Sequence, residues 1–260
     1  MKPNVKMLLL GVLALAFFAM YFFCDFNIGG EKNGIRKADF ASLYTMPGAD
    51  SLSAVADSAN LAENKDNEVV FNKDSAQNIL FIGDSMLEGL CKRFIDYTEQ
   101  NKHNLQTIIW YSSTSDVWAN TDTLQYFLKE YNPSYVVICL GANELFVKDV
   151  DVRKENIKKI VKKLGNLPFV WISPPNWKDD TGINDAIISV VGKNRYFDSR
   201  YLTLARKKDH AHPTDAAAVT WMDTIARWMK SPQCAYPIHM DWPENDVKSK
   251  NVTLLQPYYR

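Results

Sequence analysis

Neither sign of charge is in excess in this sequence: 30 Lys and Arg stand against 30 Asp and Glu over 260 residues. A balanced chain lacks the field that a dedicated nucleic-acid binder uses to gather phosphates, and it carries no acidic solubility tail. Cysteine is scarce. Cys24, Cys91, Cys139 and Cys234 form no CxxC pair and no ligand cluster, which argues against a zinc ribbon or a thioredoxin-like redox centre. No internal repeat is evident. What is present is apolar material: 47% of residues, enough to bury one substantial core or two small ones.

The longest charge-free apolar run is at the amino end. Residues 7–24 follow Lys2 and Lys6 and precede Asp25, and a helix of that length nearly covers a bilayer core. Basic flanks resist translocation. The run therefore predicts a single-pass anchor, residues 1–24, with the remainder outside the cytoplasm, in a periplasm. Secretion after signal cleavage is the alternative, opposed by Met20-Tyr21-Phe22-Phe23 where a small-residue cleavage site belongs. Residues 25–75, with Gly29-Gly30 and Ser/Ala/Asn-rich stretches, read as a stalk or partly ordered lead-in.

From residue 76 the pattern sharpens. The apolar run 79–82 stops at Gly83-Asp84-Ser85 and passes into helical apolar spacing over 86–97, which is a strand, a turn and a helix. Further strands are predicted over 105–110, 135–140 and 169–173, with helices over 123–131, 152–164 and from 214 or 215 to 229. Strands joined by helical crossovers pair in parallel, and strands this apolar are covered on both faces. The expected fold is a three-layer α/β sandwich over 76–230 with a mainly parallel sheet of four or five strands. The basic stretch 148–163 is diluted by acids and reads as the wet side of an amphipathic helix. Prolines at 232, 237, 243 and 257 oppose a helix in the C-terminal extension 231–260, which is expected to wrap the domain.

Three loops at strand ends carry chemical content. Ser85 follows a strand and a glycine and precedes a helix, so its hydroxyl can reach the sheet edge while first-turn N–H groups face a developing oxyanion. An inert N-cap serine would occupy the same place. Asp209-His210-Ala211-His212-Pro213-Thr214 precedes the final helix and can return an imidazole over that edge. His212 would take the Ser85 proton with Asp209 fixing its tautomer; His210 is the rival base, and an ordinary surface loop is the bland alternative. No companion cluster completes a metal site. Asn143, in Gly141-Ala142-Asn143-Glu144 after the third strand, can aim a side-chain N–H into the same cavity or serve as a turn residue.

Phe81-Ile82-Gly83-Asp84-Ser85, Gly141-Ala142-Asn143-Glu144 and Asp209-His210-Ala211-His212-Pro213-Thr214 together resemble the motif blocks of the SGNH/GDSL superfamily of serine esterases and acylhydrolases, over roughly residues 78–230. The resemblance implies the SGNH hydrolase fold, with a flavodoxin-like sheet, and no cofactor or metal. It implies Ser85 as nucleophile, Asp209 and His212 as its partners, and oxyanion donors from the Ser85 N–H and Asn143; the Asp-x-x-His spacing selects His212. Two departures stand out. Where the family has a glycine after the second strand, Trp110-Tyr111-Ser112-Ser113-Thr114-Ser115-Asp116 has none, leaving the N–H of Ser113 or Ser115 as the substitute donor. Glu144 replaces the usual aspartate and is expected to brace loops.

The expected reaction is hydrolysis of an O-acyl ester, most simply O-acetyl, on a cell-envelope or extracellular glycan reached from a membrane anchor at 7–24. Tyr111, Trp118 and Trp177 lie in candidate edge loops and are expected either to stack on sugar faces or to fill the periphery of the core. Capture of the acyl-serine by a sugar hydroxyl would make the protein a glycan O-acyltransferase. A non-catalytic glycan-binding or assembly module is the alternative from another class, and well-separated Ser85 and His212 would mark it.

Overall fold

The computed structural model describes residues 71–246 and 252–257. Strands β1 (Asn78–Gly83), β2 (Asn104–Trp110), β3 (Tyr135–Cys139), β4 (Phe169–Ile172), β5 (Tyr196–Phe197) and β6 (Val252–Leu255) form one six-stranded sheet in the order β5-β4-β3-β1-β2-β6. Every neighbouring pair runs parallel. Helices α1 (Leu87–Gln100), α2 (Ser115–Asn120), α3 (Thr123–Tyr131), α4 (Val150–Leu164), α5 (Ile183–Val191) and α6 (Asp215–Met229) supply the crossovers and the last covering layer.

The alternation of side chains along each strand divides the core in two. Ile79, Phe81, Val137 and Ile172 point to one face, where Leu90 and Phe94 of α1 and Trp221 and Ile225 of α6 cover them. Leu80, Ile82, Val136, Ile138 and Trp171 point to the other, under Leu124 of α3, Ile157 and Ile160 of α4 and Ile187 of α5. The result is a three-layer α/β sandwich of generic flavodoxin-like topology. Gly83 closes β1 where a Cβ would collide with the Cys139 carbonyl of β3, so only glycine lets the two strands meet there.

Four elements go beyond the sequence expectation: strands β5 and β6 and helices α2 and α5. The sheet has a sixth strand because 252–255, in the C-terminal extension, lies beside β2, and Trp110 Nε1 donates to the Gln256 carbonyl beyond it at 2.9 Å. Before it, the proline-containing stretch from 231 packs Cys234, Ile238 and Met240 into the first core and forms no helix.

One expectation is corrected. Among the described residues no helix is long and apolar enough to cross a membrane. The run 7–24, read above as an anchor, and the lead-in up to residue 70 lie outside the described residues. The single-pass anchor, the membrane partner and the periplasmic address inferred from them are therefore withdrawn: they rested on the hydropathy and flanking charges of that run alone, and no spanning helix is found among the described residues to support them.

Candidate active site

Because all strands are parallel, their carboxyl ends share one edge. The chain leaves β1 toward β2 on one side and then crosses to β3 on the other, so a crevice opens at the ends of β1 and β3. Ser85 follows β1 and Asn143 follows β3, at that crevice. Asp84 binds the two loops together: fully buried, it accepts from the Met86 N–H at 3.0 Å and the Ala142 N–H at 3.2 Å. Burial pushes its carboxyl up to about 7, against the pull of those N–H groups, and nearby Glu144 adds to the rise.

The loop before α6 is a tight excursion closed by the Arg206–Pro213 bridge and by the Lys207 N–H donating to the His212 carbonyl at 2.8 Å. Thr214 caps the helix by accepting from the Ala217 N–H. Within the loop Asp209 Oδ1 accepts from the Ala211 and His212 N–H groups at 2.9 and 3.0 Å, and Oδ2 lies 2.8 Å from His212 Nδ1. The Ala211 N–H, then the His212 ring and the His212 N–H, hold the Asp209 carboxyl down at about 2. An ionised Asp209 can only accept in that contact, so a neutral His212 donates from Nδ1–H and keeps Nε2 as an acceptor. His212 Nε2 lies 2.9 Å from Ser85 Oγ. His210, the rival, is exposed, sits at φ +60°, and points its N–H to the Lys207 carbonyl.

Of the expected oxyanion donors, the Ser85 N–H makes no hydrogen bond among the described residues. Asn143 is exposed and donates one side-chain hydrogen to the Ser113 carbonyl at 3.0 Å, and its other amide hydrogen makes no hydrogen bond among the described residues. The two serine substitutes are already committed. The Ser113 N–H donates to the Trp110 carbonyl at 3.1 Å and the Ser115 N–H to Glu144 Oε2 at 2.8 Å. The residue that takes the glycine-like conformation is Ser112, at φ +57°, and its N–H makes no hydrogen bond among the described residues. Nothing in a serine announces a left-handed backbone; the only signal was the missing glycine itself.

Glu144 braces the site from below. Buried, it accepts from Ser115 Oγ at 2.7 Å as well as from the Ser115 N–H, and it lies 3.5 Å from Arg153 of α4. Burial raises its carboxyl above the ordinary range despite those partners. It thereby ties the loop after β2 to the loop after β3.

The three aromatic expectations separate. Trp118 is fully buried, donates from Nε1 to Ser113 Oγ at 3.0 Å and packs edge-on against Trp110, so it is core. Tyr111 is half-buried against the first core, and burial followed by the Glu88 and Cys91 charges of α1 pushes its hydroxyl up. Trp177 is half-buried at the rim, edge-on to the exposed Phe146 with ring centres 6.1 Å apart. Among the described residues no group of histidines, cysteines and acids could hold a metal ion. No family model matches the chain, and no curated protein matches it.

Proposed function

We propose that this protein is a serine esterase of the SGNH/GDSL type that hydrolyses O-acyl esters, O-acetyl in the first place, on a glycan. The observation that carries the reading is the unbroken run of contacts from Asp209 through His212 to Ser85, 2.8 and 2.9 Å. In this reading His212 Nε2 takes the Ser85 proton as Oγ attacks the ester carbonyl. The oxyanion is met by the Ser85 N–H, the Asn143 side chain and, in the glycine's place, the Ser112 N–H. Collapse of the tetrahedral species expels the sugar hydroxyl, protonated by His212, and leaves acyl-Ser85. Water deprotonated by His212 then releases the acid and restores the serine.

Catalysis of this kind needs no cofactor. A donor set preorganised at the oxyanion is worth a factor of roughly 10²–10³ per side chain removed. The test is a panel of acetylated oligosaccharides and short aryl esters with the intact protein and S85A. Release of acetate by the wild type alone supports the reading, and equal turnover by S85A rejects it. Transfer of the acyl group to an added sugar instead of water would turn the assignment to an acyltransferase.

A further inference from the structure

Beside the crevice, the loop after β4 and the segment after β5 enclose a cleft of about 600 Å³ lined by Asn176, Trp177, Asp180, Asp185, Arg200 and Tyr201 among others. A cleft of that volume lies within the range of small-ligand sites. Its frame is continuous with the site already described. Arg206 donates to the carbonyls of Pro175 and Asn176 at 2.9 and 3.0 Å and, from its other terminal nitrogen, to the carbonyl of Ala211 at 2.7 Å, one residue before His212. Phe146, against Trp177, stands three residues beyond Asn143.

The chemistry of the lining narrows what fits. Asp180 accepts from Asn176, Asn184 and the Gly182 N–H at 2.8–2.9 Å and is fixed in place; those hydrogen bonds bring its carboxyl below the ordinary range although burial opposes them. Arg200 is neutralised twice, by Asp198 and by Asp185 at 2.8 Å each. Three of its five N–H groups are engaged in those contacts, so one on each terminal nitrogen has no partner among the described residues, beside an exposed Asp185 carboxylate. Donor and acceptor side by side match a pair of neighbouring hydroxyls, each of which both gives and takes a hydrogen bond. An anion would meet Asp185 first, and Lys178 is the one lining cation with no ion pair among the described residues. A long acyl chain would cover Lys178, Asp185 and the open Arg200 N–H groups in place of water and give them no hydrogen bond in return. The cleft's apolar surfaces are instead rings: Trp177, and Tyr201, which is 82% exposed and stands 5.8 Å from the Arg200 guanidinium. An aromatic body that open, next to fixed polar groups, suits a ring with apolar faces and hydroxyl edges.

We propose that the cleft between Trp177 and Tyr201 is a sugar subsite, holding a neutral pyranose unit of the glycan beside the ester, with Tyr201 and Trp177 as ring platforms and Arg200 with Asp185 reading a vicinal diol. As a catalytic subsite it rests on the esterase reading. As a binding site it stands separately.

Two measurements distinguish these. First, S85A protein is titrated with unacylated neutral oligosaccharides (cello-, xylo-, manno- and chitotetraose), followed by tryptophan fluorescence. At least one neutral sugar is expected to bind, with Y201A and D185N each weakening it about tenfold. Binding of none of them, or tighter binding of a uronic-acid oligosaccharide, overturns the proposal. Second, kcat/KM is measured for acetylated oligosaccharides of the best-bound sugar and for an aryl acetate. The ratio of the two is expected to fall about tenfold or more in Y201A and W177A, and an unchanged ratio in Y201A overturns the catalytic role of the subsite. Sugar binding together with equal turnover by wild type and S85A would remove the esterase reading and leave the subsite.

Discussion

His212 Nε2 and Ser85 Oγ, 127 positions apart in sequence, lie 2.9 Å from one another. His210, two residues away from His212, has its backbone in the left-handed region and takes no part in that contact. The two histidines therefore make an internal control. H212A is expected to lower kcat/KM by on the order of 10⁴ or more. H210N, whose asparagine tolerates positive φ, is expected to stay within threefold of wild type. Similar losses in both would assign the base wrongly.

Asp209 is ionised far below the ordinary carboxylate range, at about 2, because the Ala211 N–H and the His212 ring and N–H hold its charge. A carboxyl with a folded value below its unfolded one stabilises the fold above about pH 4 and loses that contribution as pH falls toward 2. D209N is expected to flatten the stability curve in that window. It should also lower kcat by roughly 10²–10⁴ with little change in KM, since the amide cannot hold the imidazole in the required tautomer. A pH-stability curve for D209N that overlays the wild type between 2 and 4 would contradict the assignment.

Asp84 behaves oppositely. Burial, foremost, raises it to about 7, so between about pH 4 and 7 the folded state binds the proton more tightly than the unfolded chain. Stability contributed by the neutral carboxyl is complete below pH 4 and is lost as pH rises through about 7. Carbon NMR of the labelled side chain should show a carboxyl titrating near pH 7 that is absent in D84N. A side chain ionised throughout that range would refute it.

Backbone conformation yields a paired prediction at the ends of β1 and β2. G83A drives a methyl into the Cys139 carbonyl and is expected to destabilise by about 2–4 kcal/mol or to prevent folding. S112G keeps the amide while relieving a left-handed serine, and should raise stability by about 0.5–1 kcal/mol with activity retained. Thermal melts and ester turnover of the two variants decide. A destabilised S112G would show that the serine side chain, and not the backbone, matters there.

The central strands were legible because strands buried on both faces are short, continuous apolar runs, and because glycine-bounded loops mark their ends: β1, β3 and β4 match their expected positions to within a residue or two. Ser85 and Asn143 were legible for the same reason, since each follows a strand that ends at or beside a glycine, whereas the loop of His212 was legible from the helix it precedes. What escaped was set by tertiary contact. β5 is two residues long and β6 is half-exposed, so neither has a pattern of its own; each is a strand because β4 or β2 offers it an open edge. Trp118 read as an edge-loop residue, either a sugar platform or peripheral core, because its helix, α2, has only six residues, too few to reveal a periodicity, and its burial depends on Trp110 and Ser113. The commitment of the Ser113 and Ser115 amides depends on a turn and on Glu144, neither of which spacing reveals.

The claim on which the account turns is that Ser85 carries the acyl group during turnover. Rapid acid quench of the protein while it consumes an aryl acetate, followed by peptide mass spectrometry, reads this directly. One acetyl group is expected on the peptide containing Ser85, absent in S85A and accumulating in H212A, where an activated ester still acylates the serine and the loss of His212 slows hydrolysis of the acyl-serine more than its formation. Steady turnover with no acyl group on Ser85, and undiminished rate in S85A, would contradict it.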